Sequence, residues 1–266
     1  MNKDERARWL PNEPKEGTMP LFCLSYAGGG ISLFRDWPGH VPPSVQICPV
    51  ALPGREKRLA EPPLDNLDEL VDTLSALIAP HAHGPFALYG HCFGASLAFR
   101  LALSLQGQGL IPRLLAVSGS RAPHCEPPFH IAALPQEDFV AALRRFGLTP
   151  KTVLDIPELL ALFLPSLRAD FTLDEALVCT GERPVLSCPI LVVHGSRDAI
   201  IPEELARQWD GYSTAGCTFI ECEGEHVFFA SDPALLLQPI VAALDQGTAL
   251  AREDPAREDP ARQGLA

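Results

Sequence analysis

The stretch around Cys92 combines a nucleophilic side chain with the glycine spacing of a sharp turn. Cys92 stands between Gly90 and Gly94, where an apolar run gives way to a helix-forming run. When a strand turns directly into a helix, the central residue is held in a strained conformation and its neighbours must lack bulk. The pattern predicts a nucleophile elbow with the Cys92 thiol as the attacking group. A buried structural cysteine in a small-residue turn has the same short pattern. Whether Cys92 is catalytic therefore depends on an acid and a histidine elsewhere in the chain.

An acid and a histidine follow Cys92 in the order of a catalytic triad. Asp198 and His226 each come just after a predicted strand. Because the carboxyl ends of parallel strands meet at one edge of a sheet, we expect these three side chains to lie together. The sequence predicts His226 as the base and Asp198 as the acid that orients it. Asp170 and Glu225 are alternatives for the orienting acid.

A glycine-rich loop, Ala27-Gly28-Gly29-Gly30, follows the first apolar run of the chain. A dinucleotide-binding fingerprint would need a glycine where Leu33 stands, so that function is disfavoured. Glycines also let backbone N–H groups approach a developing alkoxide closely. The loop is therefore interpreted as the oxyanion loop of the same site.

The elements that must position these groups alternate along the chain. Apolar runs followed by helical patterns are typical of an α/β fold with a mostly parallel, doubly wound sheet. The 266 residues, 47% of them hydrophobic, suffice for one large domain, which we place at 20–246. Strands are predicted at 20–26, 45–52, 85–89, 112–119, 188–194 and 217–222, and helices at 66–78, 93–106, 203–209 and 232–244.

An insertion interrupts this alternation. About 65 residues separate the predicted strand that ends at Gly119 from the next one, far more than a connection between strands needs. We expect the insertion, about 120–187, to form a small helical lid over the site. Helical spacing covers 136–146, 157–164 and 167–177, with breaks at Gly147, Pro150 and Pro165.

The insertion has more large apolar side chains than short helices need for packing among themselves. Some of this apolar surface is expected to face the substrate channel of the site, and the residues predicted to make that contact are Phe139, Phe146 and Phe163. The alternative is that these side chains all pack onto the sheet.

The two ends of the chain differ from the domain between them. Residues 1–19 have prolines and mixed charge without apolar periodicity, so they are expected to wrap loosely over the surface as an extension. Residues 247–266 contain a repeated Ala-Arg-Glu-Asp-Pro segment and are expected to form a disordered tail.

Composition excludes several functions. The net charge of −12 argues against a general nucleic-acid-binding protein, since phosphate contacts need a dense basic face. The eight cysteines are scattered and indicate neither disulfides nor a metal site. The charged opening residues and the absence of a membrane-length apolar run predict no secretory signal and no membrane partner. We expect a cytoplasmic monomer.

Six motifs are spread over most of the chain. They are Tyr-Ala-Gly-Gly at 26–29, Leu-Pro-Gly-Arg-Glu at 52–56, Gly-His-Cys-Phe-Gly-Ala at 90–95, Leu-Pro-Ser-Leu-Arg-Ala-Asp at 164–170, Gly-Ser-Arg-Asp at 195–198 and Gly-Glu-His-Val-Phe-Phe at 224–229. Taken together, they resemble the motifs of the type II thioesterases that serve nonribosomal peptide and polyketide synthases. The resemblance covers roughly Leu21 to Leu244.

This resemblance implies an α/β-hydrolase fold and the release of acyl groups from carrier proteins. The partner would be an acyl or peptidyl carrier protein, which presents the substrate on its phosphopantetheine arm, and no cofactor is expected to be bound. The catalytic serine of the family falls on Cys92, its acid on Asp198 and its histidine on His226. Its oxyanion donors fall on the backbone N–H groups of Ala27 and Phe93.

A cysteine in place of the serine changes the chemistry of the intermediate. Attack by Cys92 on a thioester yields another thioester, whereas attack by serine yields a less activated oxygen ester. The retained activation favours passing the acyl group to an amine, a hydroxyl or a second carrier, so an acyltransferase or cyclase is the alternative to a thioesterase. A hydrolase of the dienelactone type fits the motifs poorly. A non-catalytic binding module is opposed by the intact Asp198 and His226.

A compact group of charges, Arg55, Lys57 and Arg58, follows the second predicted strand. Loops at the carboxyl ends of strands border the active site in α/β proteins. On an otherwise acidic chain these three side chains are expected to meet the acidic surface of a carrier protein. The alternative is a solvated loop without a partner.

Overall fold

The computed structural model describes residues 2–147 and 149–252, except for the side chains of 247–252. Its centre is a sheet of six parallel strands in the order β2-β1-β3-β4-β5-β6. The strands are β1 Met19–Leu24, β2 Val45–Pro49, β3 Ala87–His91, β4 Leu114–Ser118, β5 Ile190–Gly195 and β6 Cys217–Cys222. Most positions of β1, β3, β4 and β5 are buried, because helices cover both faces of a parallel sheet.

Helices lie on both faces of the sheet, which confirms the predicted α/β, doubly wound architecture. One apolar cluster joins the sheet to α2 and α3, and a second cluster joins its other face to α8. The helix α2 begins where predicted, since the Asn66 side chain accepts a hydrogen bond from the Glu69 N–H. The helices are α1 Lys3–Trp9, α2 Leu67–Ile78, α3 Phe93–Gly107, α4 Gln136–Arg145, α5 Lys151–Asp155, α6 Pro157–Ala176, α7 Glu203–Arg207 and α8 Ala234–Arg252.

The strand order reverses direction at β1, which lies between β2 and β3. The register pairs Leu24 at the end of β1 with Gly90 in β3. The loops that leave these two strands therefore diverge from adjacent points at the carboxyl edge, where α/β proteins bind ligands. This edge brings the glycine-rich loop next to the turn that contains Cys92.

The segment between β4 and β5 contains the helices α4, α5 and α6, which form an apolar cluster of their own. The predicted helix break at Pro165 is wrong, because α6 continues through this residue. Pro165 is exposed, and Leu167 and Phe171 beyond it are buried in the cluster. Their packing outweighs the loss of one backbone hydrogen bond at the proline.

The N-terminal residues are more ordered than the sequence indicates. Asn2 and Glu5 form a reciprocal capping box at the start of α1. At its end, Trp9 and Leu10 are only 8% and 1% exposed, and the Arg58 guanidinium lies 4.1 Å from the Trp9 ring centroid. The expected loose wrapping of 1–19 is therefore wrong for this helix. Two adjacent apolar residues anchor it, and so short an anchor has no periodicity to detect.

The last helix extends beyond its predicted end. We expected it to stop near Leu244, with a tail from residue 247, but the α8 backbone remains helical to Arg252. The rest of the predicted tail, 253–266, lies outside the described residues. Within 2–147 and 149–252, no helix has both the length and the apolar character that crossing a bilayer requires.

Replacing Trp9 by alanine should destabilise the whole domain, because this side chain fills a site between α1 and the segment that contains Arg58. We expect a loss of about 3 kcal/mol in the free energy of unfolding, the usual range for a buried tryptophan. Urea denaturation measures it. The exposed neighbour Arg8, changed to alanine, should cost less than about 0.5 kcal/mol. Equal stabilities of the two variants would show that α1 does not pack on the domain.

Candidate active site

The turn between β3 and α3 has the geometry of a nucleophile elbow. Cys92 has φ 54° and ψ −119°, a left-handed conformation that is costly for a residue with a side chain. Its N–H donates to the Ser118 carbonyl oxygen at 2.9 Å, which ties the turn to β4. A β-carbon at Gly90 would overlap the Gly94 carbonyl, and one at Gly94 would overlap the Leu24 carbonyl. Both glycines are therefore required for the close approach of α3 to β1 and β3.

His226 and Asp198 form a hydrogen-bonded pair at the same edge of the sheet. The His226 Nδ1 lies 2.8 Å from the Asp198 Oδ2, and the Asp198 Oδ1 accepts from the N–H groups of Ile200 and Ile201 at 2.9 Å each. Burial alone would raise the pKa of Asp198, but the His226 interaction and the two backbone donors hold it below its ordinary value. Asp198 therefore stays ionised and orients the imidazole.

The two alternatives for the orienting acid do not contact His226. Asp170 is buried in an ion pair with Arg55, at 2.7 Å between Oδ2 and Nη1. Glu225 is exposed to solvent, although it is the neighbour of His226 in sequence. Of these three acids, Asp198, which follows β5, is the one that contacts His226.

The pKa of the His226 imidazole depends on Asp198 and Cys92. Burial would lower its pKa, but hydrogen bonding and attraction to Asp198 and Cys92 raise the pKa well above the ordinary histidine value. A protonated imidazole next to a sulfur atom stabilises negative charge on that sulfur. The arrangement can therefore support an attacking thiolate and afterwards supply a proton to a leaving group.

A second histidine, His91, packs against the first and was not recognised as part of the site from the sequence. The two imidazole centroids are 4.8 Å apart, and His91 is fully buried. Its Nδ1 lies 2.9 Å from the Ser118 Oγ, which also lies 2.8 Å from the Tyr89 hydroxyl. Burial and the nearby His226 charge lower the pKa of His91 well below its ordinary value. His91 is therefore a neutral support beneath the charged imidazole.

The predicted oxyanion donors lie beside the thiol. Ala27, Phe93, Cys92 and His226 line one cavity of about 420 Å³. Within the described part of the chain, the N–H groups of Ala27 and Phe93 have no protein acceptor. Two free N–H groups on the same cavity as a thiol have the chemistry to bind the oxygen of an acyl group under attack.

The rest of the cavity wall is mainly apolar. It includes Phe129 and Phe171 of the insertion and, from the sheet side, Ile200, Ile201 and Val227. A mainly apolar cavity of this size, with the Cys92 thiol in its wall, is suited to an acyl chain.

The insertion contributes to the cavity through other phenylalanines than those predicted. Phe139 is fully buried in the apolar cluster of the insertion and does not line the cavity, so its predicted contact is wrong. Phe146 stacks on Phe129, at 4.1 Å between ring centroids, and Phe163 packs against the apolar cluster of the insertion, and neither residue lines the cavity. The sequence shows which residues are apolar, but helix packing decides which of them face the cavity.

The predicted contacts of Arg55 and Arg58 with a carrier protein are also wrong. Arg55 is 5% exposed and makes a bidentate ion pair with Asp170. Arg58 is 7% exposed, donates to Glu61 and lies over Trp9. Of the three basic residues, only Lys57 is exposed. Charge runs suggest solvent exposure, whereas here internal partners draw two of the three side chains into the protein.

Comparison with known proteins identifies the family. Residues 19–240 match the thioesterase domain family. The chain belongs to this family. Its relatives include Thioesterase PikA5 of Streptomyces venezuelae, 36% identical over 216 residues, with 80% of this chain and 75% of that protein covered. Linear gramicidin dehydrogenase LgrE of Brevibacillus parabrevis is 35% identical over 245 residues, with 90% and 93% covered.

A solved structure shows the same architecture. The type II thioesterase BorB from the borrelidin biosynthetic cluster has a TM-score of 0.78 and 30% identity to this thioesterase, and the match covers 89% of this chain and 97% of BorB. The expected α/β-hydrolase fold is thereby confirmed. The protein is an enzyme of the thioesterase class within this superfamily.

Replacing His91 by asparagine should make the stability of the protein less sensitive to acid. Because the pKa of His91 is lowered in the folded state, only the unfolded chain takes up this proton below about pH 6.5. Wild-type stability therefore falls as the pH falls, and the variant should lose about 2 kcal/mol less between pH 6.5 and pH 5.

Urea denaturation across this pH range measures the difference in slope, regardless of the absolute stability of the variant. The exposed His83, changed to asparagine, is the matched control and should leave the slope unchanged. Parallel curves for His91→Asn and wild type would mean that His91 is protonated in the folded protein.

Proposed function

We propose that this enzyme is a type II thioesterase that releases acyl groups from the phosphopantetheine arm of an acyl or peptidyl carrier protein in nonribosomal peptide or polyketide synthesis. The observation that carries the proposal is the strained elbow of Cys92, which lines one cavity with His226, the hydrogen-bond partner of Asp198, in a chain of the thioesterase family. Two similar solved structures support this assignment: BorB is a type II thioesterase from a biosynthetic cluster, and YbtT is a type II thioesterase from the yersiniabactin NRPS/PKS biosynthetic pathway.

In the proposed first step, the Cys92 sulfur attacks the carbonyl carbon of the bound thioester. The N–H groups of Ala27 and Phe93 bind the developing oxyanion. The His226 imidazolium, oriented by Asp198, then donates a proton to the departing pantetheine sulfur. A new thioester forms between the acyl group and Cys92, and free pantetheine thiol leaves.

In the second step, the neutral His226 accepts a proton from water as the water oxygen attacks the acyl-cysteine. The Cys92 sulfur leaves, and free acid is released. The same residues serve both steps, and all required groups come from the chain itself. The proposal therefore includes no bound cofactor.

Transfer of the acyl group is the second candidate, and Cys92 is the observation that favours it. Exchange of one thioester for another is nearly isoenergetic, so acyl-Cys92 keeps its activation toward an amine, a hydroxyl or a second carrier thiol. A mostly apolar cavity next to Cys92 also limits the access of water to the intermediate. The products distinguish the two candidates.

Incubation with an acyl-pantetheine thioester should place one acyl group on Cys92. Intact-mass spectrometry should show the adduct on wild type and on Cys179→Ala, a control that removes another half-buried thiol. The Cys92→Ala variant should remain unlabelled. Equal labelling of Cys92→Ala would show that the nucleophile is misassigned.

The fate of the acyl group can be measured with the same adduct. We expect free acid when water is the only acceptor, since the His226–Asp198 pair can activate water. An amine or a second carrier protein, added in turn, tests for transfer by product identification. Free acid as the main product under every condition would exclude the transferase candidate.

Shortening Phe129 should change acyl selectivity, because this side chain forms part of the cavity wall. The Phe129→Ala variant should shift the ratio of kcat/KM values for a long and a short acyl thioester by about tenfold in favour of the long one. The matched control is Phe139→Ala, which should lower stability by about 3 kcal/mol without reordering the acyl preference. Reordering by Phe139→Ala alone would reverse the assignment of these two residues.

A further inference from the structure

One buried ion pair, Arg55 with Asp170, binds the backbone of the glycine-rich loop. The Asp170 Oδ2 accepts from the Arg55 Nη1 and from the Gly28 N–H, each at 2.7 Å, and its Oδ1 accepts from the Arg55 Nη2 at 2.8 Å. The Arg55 Nη1 also donates to the Gly29 carbonyl at 3.2 Å. The pair thus satisfies one donor and one acceptor of adjacent loop residues.

The loop transmits this constraint to the Ala27 N–H. The Gly29 N–H donates to the Tyr26 carbonyl at 2.8 Å, which fixes the plane of the peptide between Tyr26 and Ala27. In a trans peptide the N–H points opposite to the carbonyl. With the Tyr26 oxygen turned toward Gly29, the Ala27 N–H must therefore point the other way, and Ala27 lies on the cavity beside Cys92.

Three separate segments meet at this pair. Arg55 follows β2, Asp170 belongs to α6 of the insertion, and Gly28 follows β1. A β-carbon at Gly28, where φ is +76°, would approach the Leu167 side chain of α6 to 2.5 Å. Beside Arg55, the Glu56 carboxylate accepts from the N–H groups of Ile31 and Ser32 just beyond the loop. The segment after β2 thus holds the glycine-rich loop at more than one point.

The desolvation cost of burying this ion pair indicates that it has a role other than stabilising the fold. Asp170 is 1% exposed, and removing two charges from water is offset only when their geometry and additional hydrogen bonds are good. Well-packed apolar side chains of similar volume often stabilise a protein as much as such a pair. They would, however, leave the Gly28 N–H and the Gly29 carbonyl without these partners.

We propose that the Arg55–Asp170 pair is a positioning element of the oxyanion hole, which holds the Ala27 N–H at the place where the acyl oxygen becomes negative. The proposal rests on the proposed reaction at Cys92. Neither side chain touches the substrate, and both act through Gly28 and Gly29. The pair also links the insertion to the reaction, since Asp170 lies one residue before the cavity-lining Phe171.

Two substitutions test the pair. Asp170→Asn keeps an acceptor for Gly28 but removes the charge, and Arg55→Lys keeps the charge but removes the bidentate geometry. Each should lower the maximal rate of Cys92 acylation by an acyl-pantetheine thioester about tenfold to a hundredfold, the range for a misplaced oxyanion donor. The thioester concentration for half-maximal rate should change less than about twofold, because the loss is confined to the transition state.

The rate of Cys92 alkylation by iodoacetamide distinguishes a misplaced oxyanion donor from a general structural defect, because a general defect would change this rate as well. This displacement at a saturated carbon forms no oxyanion, so its rate should stay within about twofold of wild type in both variants. The double variant should lose no more acylation rate than the slower single variant, since the two residues act as one unit. Glu61→Gln is the control, because it removes the negative charge that pairs with Arg58 in the same segment without touching the loop.

Acylation and alkylation rates that fall equally, or an acylation rate that does not fall, would overturn the positioning proposal. Thermal melts establish whether each variant is folded. If Asp170→Asn is unfolded, Asp170→Glu is measured in its place. Wild type that acquires no acyl group at Cys92 would instead refute the proposed reaction itself. An acylated wild type with unaffected variants would refute only the assignment of the pair.

Discussion

The start of α3 contacts the ends of β1 and β3 so closely that neither Gly90 nor Gly94 has room for a methyl group. This approach forces Cys92 into its left-handed conformation and directs the turn toward the carboxyl edge of the sheet. The thiol, the glycine-rich loop after β1 and the free N–H of Phe93 meet there as a consequence. The buried strand β3 before Cys92 and the buried helix α3 after it hold this residue in its strained conformation.

The electrostatics of the site depend on two histidines in opposite states. Asp198 and Cys92 favour the charged form of His226, whereas burial and the His226 charge keep His91 neutral. The Tyr89 hydroxyl and the Ser118 Oγ continue the polar contacts of His91 into the sheet. A neutral imidazole beneath a charged one avoids the repulsion that two imidazolium groups would create at this distance.

The insertion contributes to the candidate active site in two ways. Phe171 forms part of the cavity wall, and its neighbour Asp170 binds the backbone of the glycine-rich loop. The same helix, α6, therefore shapes the space for an acyl group and holds the loop that can bind its oxygen. A change in α6 can affect both selectivity and rate.

The sequence by itself determined three features: the α/β class, the order along the chain of the candidate nucleophile, acid and histidine, and the two glycines of the elbow. These features depend on local spacing and on chain order, which a linear pattern records. Only the tertiary structure decided the partners of charged and aromatic side chains. Arg55 pairs with Asp170 across 115 positions, and Phe129, rather than Phe139, reaches the cavity. Such contacts depend on how separate helices pack, and a one-dimensional pattern of apolar and charged residues has no information on that packing.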